Sequence, residues 1–145
     1  MPQTDQTFKN HARLLPPFHF FVLPVLLINF LNEIRHVIQD PSRHFAWTLV
    51  VAAALLTLAF LSRTMALTVQ DRVIRLEMRH RLKDLLPFDL HGRISELTPK
   101  QLIALRFAAD EEMPALVREV LAGSLTSQKA IKERVKNWQG DYLRC

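Results

Sequence analysis

The sequence predicts an all-α protein: a two-helix transmembrane hairpin whose second helix extends into the cytoplasm, plus a small cytoplasmic helical domain. Three observations predict this class. Two long apolar stretches lie in the first half of the 145 residues, and most of the charged residues follow them. Neither proline nor glycine interrupts residues 46–86, so one helix can run through them. The chain has only three glycines, which argues against β-rich and low-complexity classes.

The apolar stretches at 18–38 and 44–67 each provide the roughly 20 mostly apolar residues that a membrane-spanning helix needs. The turn between them, 39–43, is short, which predicts that the two helices are antiparallel. A soluble protein of this size has too little additional chain to bury two helices that are apolar all round. The first stretch also has the length of a signal-peptide core, but no small-residue cleavage site follows Leu31, so we expect it to be retained.

Charge and hydropathy divide the chain into four predicted segments. These are a cytoplasmic N-terminal arm at 1–17, the transmembrane hairpin at 18–67, a juxtamembrane basic amphipathic helix at 68–86, and a cytoplasmic helical domain at 87–145. Basic residues flank both outer ends of the hairpin, whereas the turn contains only Arg43, so we expect both termini to face the cytoplasm. The single cysteine agrees with this reducing compartment and excludes a disulfide framework.

The first apolar stretch carries several residues that are unusual in a membrane helix. Pro24 lacks a backbone N–H and predicts a local distortion. Four polar side chains then share one face, at positions i, i+3, i+4 and i+7: Asn29, Asn32, Glu33 and His36. Because polar groups are costly in lipid, this stripe predicts a contact with a partner protein, or an ion or proton path. Alternatively, the stripe lies at the outer interface and Asn29 bonds across the hairpin.

Three histidines, His19, His36 and His44, raise the question of haem held between facing imidazoles. No spacing dictates a pair, and histidines at a membrane interface explain these positions as well. We therefore expect no cofactor and no metal. In the second apolar stretch, Ala53 and Thr57 form a pair of small residues that permits close helix approach.

The juxtamembrane helix is predicted to be amphipathic and basic. One face is apolar: Leu67, Ile74, Met78, Leu82 and Leu85. An adjacent face carries four cations: Arg72, Arg75, Arg79 and Lys83. These cations predict binding to anionic lipid headgroups, and a solvated face that sets topology is the alternative. The net charge of +5 would also suit nucleic acid, but no aromatic residues interleave the cations, so we expect no nucleic-acid partner.

Residues 87–145 predict three short helices. Thr98 and Gln101 form a capping box for a helix at 99–109. A second helix begins at Asp110 and ends at Gly123, and a third runs from Ser127 to Gly140. Their apolar positions are expected to close a small core: Leu102, Leu105, Ala109, Leu116, Val117, Val120, Leu121, Ile131, Val135 and Trp138. The carboxylates at 110–112 are expected to complement the helix dipole rather than to bind a metal.

Three segments resemble a family of small bacterial two-pass membrane proteins that is known as a domain of unknown function. They are residues 10–13 (NHAR), 70–77 (QDRVIRLE) and, most specifically, 97–112 (LTPKQLIALRFAADEE). The resemblance implies a location in the bacterial inner membrane. It implies no activity and no site residues.

No motif for catalysis is present: we find no Gly-rich phosphate loop, no H-E-x-x-H and no G-x-S-x-G. We therefore expect a protein that is not an enzyme. The expected role is that of an accessory or scaffolding subunit of a larger membrane complex, or a small homo-oligomer. The alternatives are a small oligomeric ion- or proton-conducting or transport-associated protein, and a module that senses anionic lipids.

Overall fold

A computed structural model describes residues 6–8 and 14–141. Most of the predicted N-terminal arm, including segment 10–13, lies outside the described residues. The first helix starts as a π-helical segment, Pro17–Val22, and continues as α1, Leu23–Gln39. The remaining elements are α2 (Arg43–Leu85), α3 (Phe88–His91), a 3-10 turn (Ile94–Glu96), α4 (Pro99–Leu105), α5 (Met113–Leu121) and α6 (Gln128–Arg134). The described residues are thus all-helical apart from one isolated β-bridge.

The chain divides into two compact units, and α2 contributes residues to both. Of the described residues, the paired-helix unit comprises 14–67, and the C-terminal unit comprises 68–141 together with 6–8. In the C-terminal unit the Gln6 side chain bonds the backbone of Asp141: Oε1 accepts from the Asp141 N–H at 2.9 Å and Nε2 donates to the Asp141 carbonyl at 3.4 Å. This pair of bonds fastens a residue of the N-terminal arm to the other end of the chain.

In the paired-helix unit, the predicted distortion near Pro24 is confirmed. The π-helical segment ends immediately before α1, and the Leu23 N–H donates to the carbonyl of Phe18, five residues back. Because Pro24 has no N–H to donate, the wider turn that precedes it accommodates the missing bond. The connection to α2 comprises only residues 40–42, one residue shorter at each end than predicted. Ser42 caps the N-terminus of α2, because its hydroxyl accepts a hydrogen bond from the Phe45 N–H at 3.2 Å.

The C-terminal unit is built around an apolar face of α2. Ile74, Met78 and Leu82 of that face are buried as predicted, but Leu86 completes the face, and Leu85 is only partly buried. The other helices contribute most of the predicted core: Leu102, Leu105, Ala109, Leu116, Val117, Val120 and Ile131 are buried. Burying one such side chain stabilises a fold by roughly 1.5–3 kcal/mol. The helix caps predicted at Thr98, Ser127 and Gly123 are confirmed, and Gly123 has φ +78°.

Three of the predicted helix ends are wrong. α4 ends at Leu105 rather than Ala109, α5 begins at Met113 rather than just after Asp110, and α6 ends at Arg134 rather than Gly140. The reason is a pairing of two extended segments through a β-bridge between Ala108 and Trp138. Backbone N–H groups donate across it, from Ala109 to Asn137 at 3.1 Å and from Gln139 to Phe107 at 2.7 Å.

Glu112 stabilises this departure from helical structure. Its carboxylate accepts hydrogen bonds from the backbone N–H groups of Lys136 (3.0 Å), Asn137 (3.1 Å) and Ala109 (3.3 Å). The Ala109 N–H is shared between this carboxylate and the Asn137 carbonyl, and the other two amides need an acceptor because α6 has already ended. The acidic run at 110–112 therefore does more than complement a helix dipole, because Glu112 holds together two segments that are distant in sequence.

Candidate functional site

The predicted polar stripe of α1 is divided between two environments. Glu33 is bonded to α2, because the Thr48 hydroxyl donates to Glu33 Oε2 at 2.6 Å. The His36 ring stacks on the ring of Phe45, with centroids 5.1 Å apart and an interplanar angle of 10°. These contacts join α1 and α2 close to the turn. Glu33, rather than Asn29, therefore makes the hydrogen bond that crosses between the two helices.

Asn29 and Asn32 lie on the exposed part of α1. Asn32 Nδ2 and His36 Nε2 are 3.1 Å apart and satisfy each other within the helix. The Asn29 side chain is exposed and has no hydrogen-bond partner within 6–8 and 14–141. It lies near the middle of the helical stretch Pro17–Gln39, among exposed apolar residues such as Ile28. An unsatisfied amide at that position needs a partner from outside the paired-helix unit if the surroundings are lipid.

The three histidines considered for haem make local contacts. His19 Nδ1 lies 2.9 Å from the Leu15 carbonyl. The rings of His36 and His44 both contact Phe45, at 5.1 Å and 5.6 Å between centroids. Within the described residues no group of three or more His, Cys, Asp or Glu side chains is placed to hold a metal. The expectation of no cofactor stays a prediction.

The small residues that α2 buries in the paired-helix unit are not the predicted pair. Ala52 and Ala59 are buried, at 2% and 8% exposure, and they lie on the same helical face as Thr48. Thr57 is exposed, and its hydroxyl donates to the Ala53 carbonyl at 2.8 Å. The predicted Ala53–Thr57 face thus remains uncovered within this unit.

In the C-terminal unit, α2 presents an exposed basic row. Arg72, Arg79 and Lys83 are exposed, and helix geometry places their face beside the one that buries Met78 and Leu82. No ion pair joins any of the three to another described residue. Leu76, which is 65% exposed, lies in the same row. We call Arg72, Leu76, Arg79 and Lys83 the basic row.

Arg75 does not belong to the basic row. It is partly buried at the edge of the core, and its Nε is shielded from solvent without a hydrogen-bond partner among the described residues. The four cations predicted as one lipid-binding face therefore separate into three exposed cations and one boundary residue. The spacing along the helix already indicates this difference, because position 75 is rotated farther about the helix axis from the centre of the row than 72, 79 or 83.

A groove of about 490 Å³ lies along the second half of the basic row. Arg79, His80 and Lys83 of α2 line one side, and His91 lines the other, with Leu76 and Ile94 as apolar wall. His91 is oriented by its Nε2, which donates to the Leu86 carbonyl at 2.8 Å. The Phe88 ring lies 5.6 Å from the His91 ring and is 89% exposed. The groove thus combines positive charge with exposed apolar surface.

The sequence indicated neither His91 nor Arg81 as a site residue. Arg81 bonds Asp110: its Nε donates to Asp110 Oδ1 at 2.8 Å. Its Nη2 also donates to the Ala108 carbonyl at 2.7 Å and to Gln139 Oε1 at 2.9 Å. Most other arginines of the unit are paired as well: Arg93 with Glu96, Arg106 with Asp141, Arg118 with Asp89 and Arg134 with Glu119.

Two of these ion pairs shift the pKa of the carboxyl group that they contain. The hydrogen bond from Arg134 lowers the pKa of the Glu119 carboxyl, and that from Arg93 lowers the pKa of the Glu96 carboxyl. A carboxyl with a lowered pKa stabilises the folded state at neutral pH, and this contribution is lost as the pH falls through the folded-state pKa. We expect Glu119→Gln to lower the unfolding temperature slightly at pH 7, and we expect this difference to shrink as the pH is lowered from 7 towards 3, through the folded-state pKa of Glu119.

Thermal unfolding of wild type and Glu119→Gln across this pH range measures the effect. Glu133→Gln is the matched control, because Glu133 faces Lys129 at the longer distance of 3.8 Å. A difference between wild type and Glu119→Gln that persists unchanged at pH 3 would contradict the assignment.

Taken together, the described residues form an all-helical protein with two helices that are long and apolar enough to cross a membrane, Pro17–Gln39 and Arg43–Leu85. The chain belongs to a family of unknown function, DUF6526, whose family model matches residues 1–145. The predicted kinship with an uncharacterised family is therefore confirmed. No curated protein and no solved structure matches the chain.

Proposed function

We propose that the protein is an integral protein of the bacterial inner membrane, with both termini in the cytoplasm, that acts as an accessory or scaffolding subunit of a larger membrane assembly. Its role is structural and non-catalytic. The two apolar helices support the membrane location by their length and composition. The distribution of basic residues supports the orientation.

One observation supports the interaction role above the others: the exposed, unsatisfied Asn29. Position 29 lies 12 residues from Pro17 and 10 residues from Gln39, so it falls close to the middle of a 23-residue apolar helix. An amide at that depth finds no water, and lipid offers no hydrogen-bond partner. A polar group from another transmembrane helix, in a second copy of this chain or in a different subunit, satisfies it.

The alternative of an ion- or proton-conducting protein receives less support. The stripe contains two ionisable residues, Glu33 and His36. The Glu33 carboxylate accepts from the Thr48 hydroxyl, and the His36 ring stacks on Phe45 and lies within hydrogen-bond distance of Asn32. Both ionisable groups are thereby engaged within the pair of helices, and Asn29 is the stripe residue that remains for a partner.

We expect Asn29→Leu to weaken the assembly without unfolding the protein. Interhelical side-chain hydrogen bonds in membranes contribute about 0.6 to 1.7 kcal/mol, so the association constant should fall roughly 3- to 20-fold. The measurement is native mass spectrometry of the particle purified from its own membrane in mild detergent, which reports the mass and composition for wild type and variant.

Thr64→Val is the matched control. It also removes a polar group from an exposed position of an apolar helix, but the Thr64 hydroxyl is already satisfied within α2 by the carbonyls of Phe60 and Leu61. The proposal requires that Thr64→Val retain the wild-type particle. A wild-type protein that is monomeric and free of partners, or an Asn29→Leu particle identical to wild type, counts against it.

A further inference from the structure

We propose that the groove between α2 and the segment that follows it is a binding site for a phosphate group, carried by a phospholipid headgroup or by a soluble phosphate ester. The site goes beyond the assembly role and does not depend on it. Arg79 and Lys83 supply the charge, His91 faces them, and Leu76 with Ile94 provides an apolar wall.

The charge of the groove is positive and uncompensated. Arg79 and Lys83 are one helical turn apart, so their side chains extend over the same surface and repel each other in the absence of an anion. The part of the chain that the structure describes supplies neither with an ion pair, although it pairs most arginines of this unit. The carboxylate of Asp84, which follows Lys83 in the sequence, lies 3.0 Å from His80 Nδ1. An anion bound between Arg79 and Lys83 relieves their repulsion.

The histidine on the opposite side is held in place. Its Nε2–H donates to the Leu86 carbonyl just beyond the C-terminus of α2, where the helix dipole places partial negative charge. That bond fixes the ring in the wall of the groove. Because Nε2–H is committed to Leu86, the ring donates to an anion only through the Nδ1–H of its imidazolium form, so Arg79 and Lys83 carry the binding of the phosphate group.

The dimensions distinguish a discrete site from general attraction to a membrane surface. Arg72 and Lys83 are eleven residues apart, which is roughly 16 Å along a helix. The headgroup layer of one leaflet is only about 5–8 Å thick. A helix that stands across this layer cannot place the whole basic row within it. Arg79 lies twelve residues, roughly 18 Å, beyond Leu67, so a phospholipid headgroup reaches the groove only where α2 leaves the membrane at a tilt, whereas a soluble phosphate ester reaches it in any orientation.

The apolar wall indicates a ligand with an apolar part next to its phosphate. Leu76 is 65% exposed, and Phe88, whose ring lies beside His91, is 89% exposed. A ligand that contacts both residues covers apolar side chains that are otherwise exposed to solvent in the C-terminal unit. Phosphatidic acid, whose phosphate is joined through glycerol to acyl chains, has this combination of groups, whereas glycerol 3-phosphate presents the phosphate group alone.

The test compares the full-length protein with the double variant Arg79→Gln/Lys83→Gln in detergent. One arm titrates soluble glycerol 3-phosphate, and the other titrates phosphatidic acid, with bound ligand counted by native mass spectrometry. Two cations at about 1 kcal/mol each predict a roughly 30-fold loss of affinity in the double variant. Lys100→Gln/Lys136→Gln is the charge-matched control, since both lysines are exposed and lie outside the groove.

Binding of glycerol 3-phosphate that depends on Arg79 and Lys83 identifies a site for soluble phosphate esters. Binding of phosphatidic acid alone, with the same dependence, identifies a headgroup site. If neither ligand binds, or if both double variants lose affinity equally, the site is refuted. Asn29→Leu should retain wild-type phosphate binding, so failure of the assembly role and failure of this site are distinguishable.

Discussion

Replacing Phe107 with alanine should lower the free energy of unfolding of the C-terminal unit by about 3–5 kcal/mol. Phe107 is fully buried, and its ring stacks on Trp138 with centroids 4.4 Å apart and an interplanar angle of 17°. The guanidinium carbon of Arg106 lies 4.5 Å from the centroid of the Phe107 ring. Removal of the ring leaves a cavity and deprives both neighbours of their contact. A loss of this size is a large part of the stability of a small domain.

Urea unfolding followed by tryptophan fluorescence measures the change, in a Trp47→Phe background so that Trp138 is the only tryptophan. Trp47 is exposed and belongs to the other unit, so its replacement should not affect the transition. Phe88→Ala removes the same number of atoms from a side chain that is 89% exposed, and we expect it to change the stability by less than about 0.5 kcal/mol. Similar midpoints for Phe107→Ala and Phe88→Ala would show that the Phe107 ring does not stabilise the core.

The burial of Phe107 could not be predicted from the sequence. Local patterns were sufficient for Leu102 and Leu105, because both follow a capping box and share one helical face. Phe107 was assigned to the same helix and to none of its apolar positions. In the structure the helix has already ended, and a bridge to a segment far along the chain determines the burial. Helical periodicity contains no information about such a pairing.

The candidate site was predictable to a similar extent. The spacing of Arg72, Arg79 and Lys83 indicated an exposed basic face from the sequence alone. The groove, in contrast, needs His91, which reaches it only because the chain turns back after Leu86. In α1 the spacing placed four polar residues on one face, but the position of Thr48 determines that Glu33 is satisfied and Asn29 is not. Neighbours from other elements decide what a periodic stripe can bind.

Arg81→Met is expected to destabilise the C-terminal unit by about 2 kcal/mol, because hydrogen bonds to a charged group each contribute roughly 1.5–3 kcal/mol and water replaces part of them. The guanidinium is only 23% exposed, whereas its partner Asp110 is 53% exposed. Water can therefore solvate Asp110 after the substitution. The main cost arises at the carbonyl of Ala108, a fully buried residue that loses its donor.

The location of these bonds predicts a local effect besides the global one. Arg81 fastens α2 to both extended segments, since it bonds Ala108 on one and Gln139 on the other. In Arg81→Met, the Ala109 and Gln139 amides, which donate across the bridge, should exchange with solvent faster than the amides of α5. Arg93→Gln is the control, because Arg93 pairs with Glu96 on the surface. Hydrogen exchange at the bridge that is equally slow in both variants would mean that the bridge holds without Arg81. If exchange is accelerated only at the bridge in Arg81→Met, Arg81 is the residue that holds the two extended segments against α2.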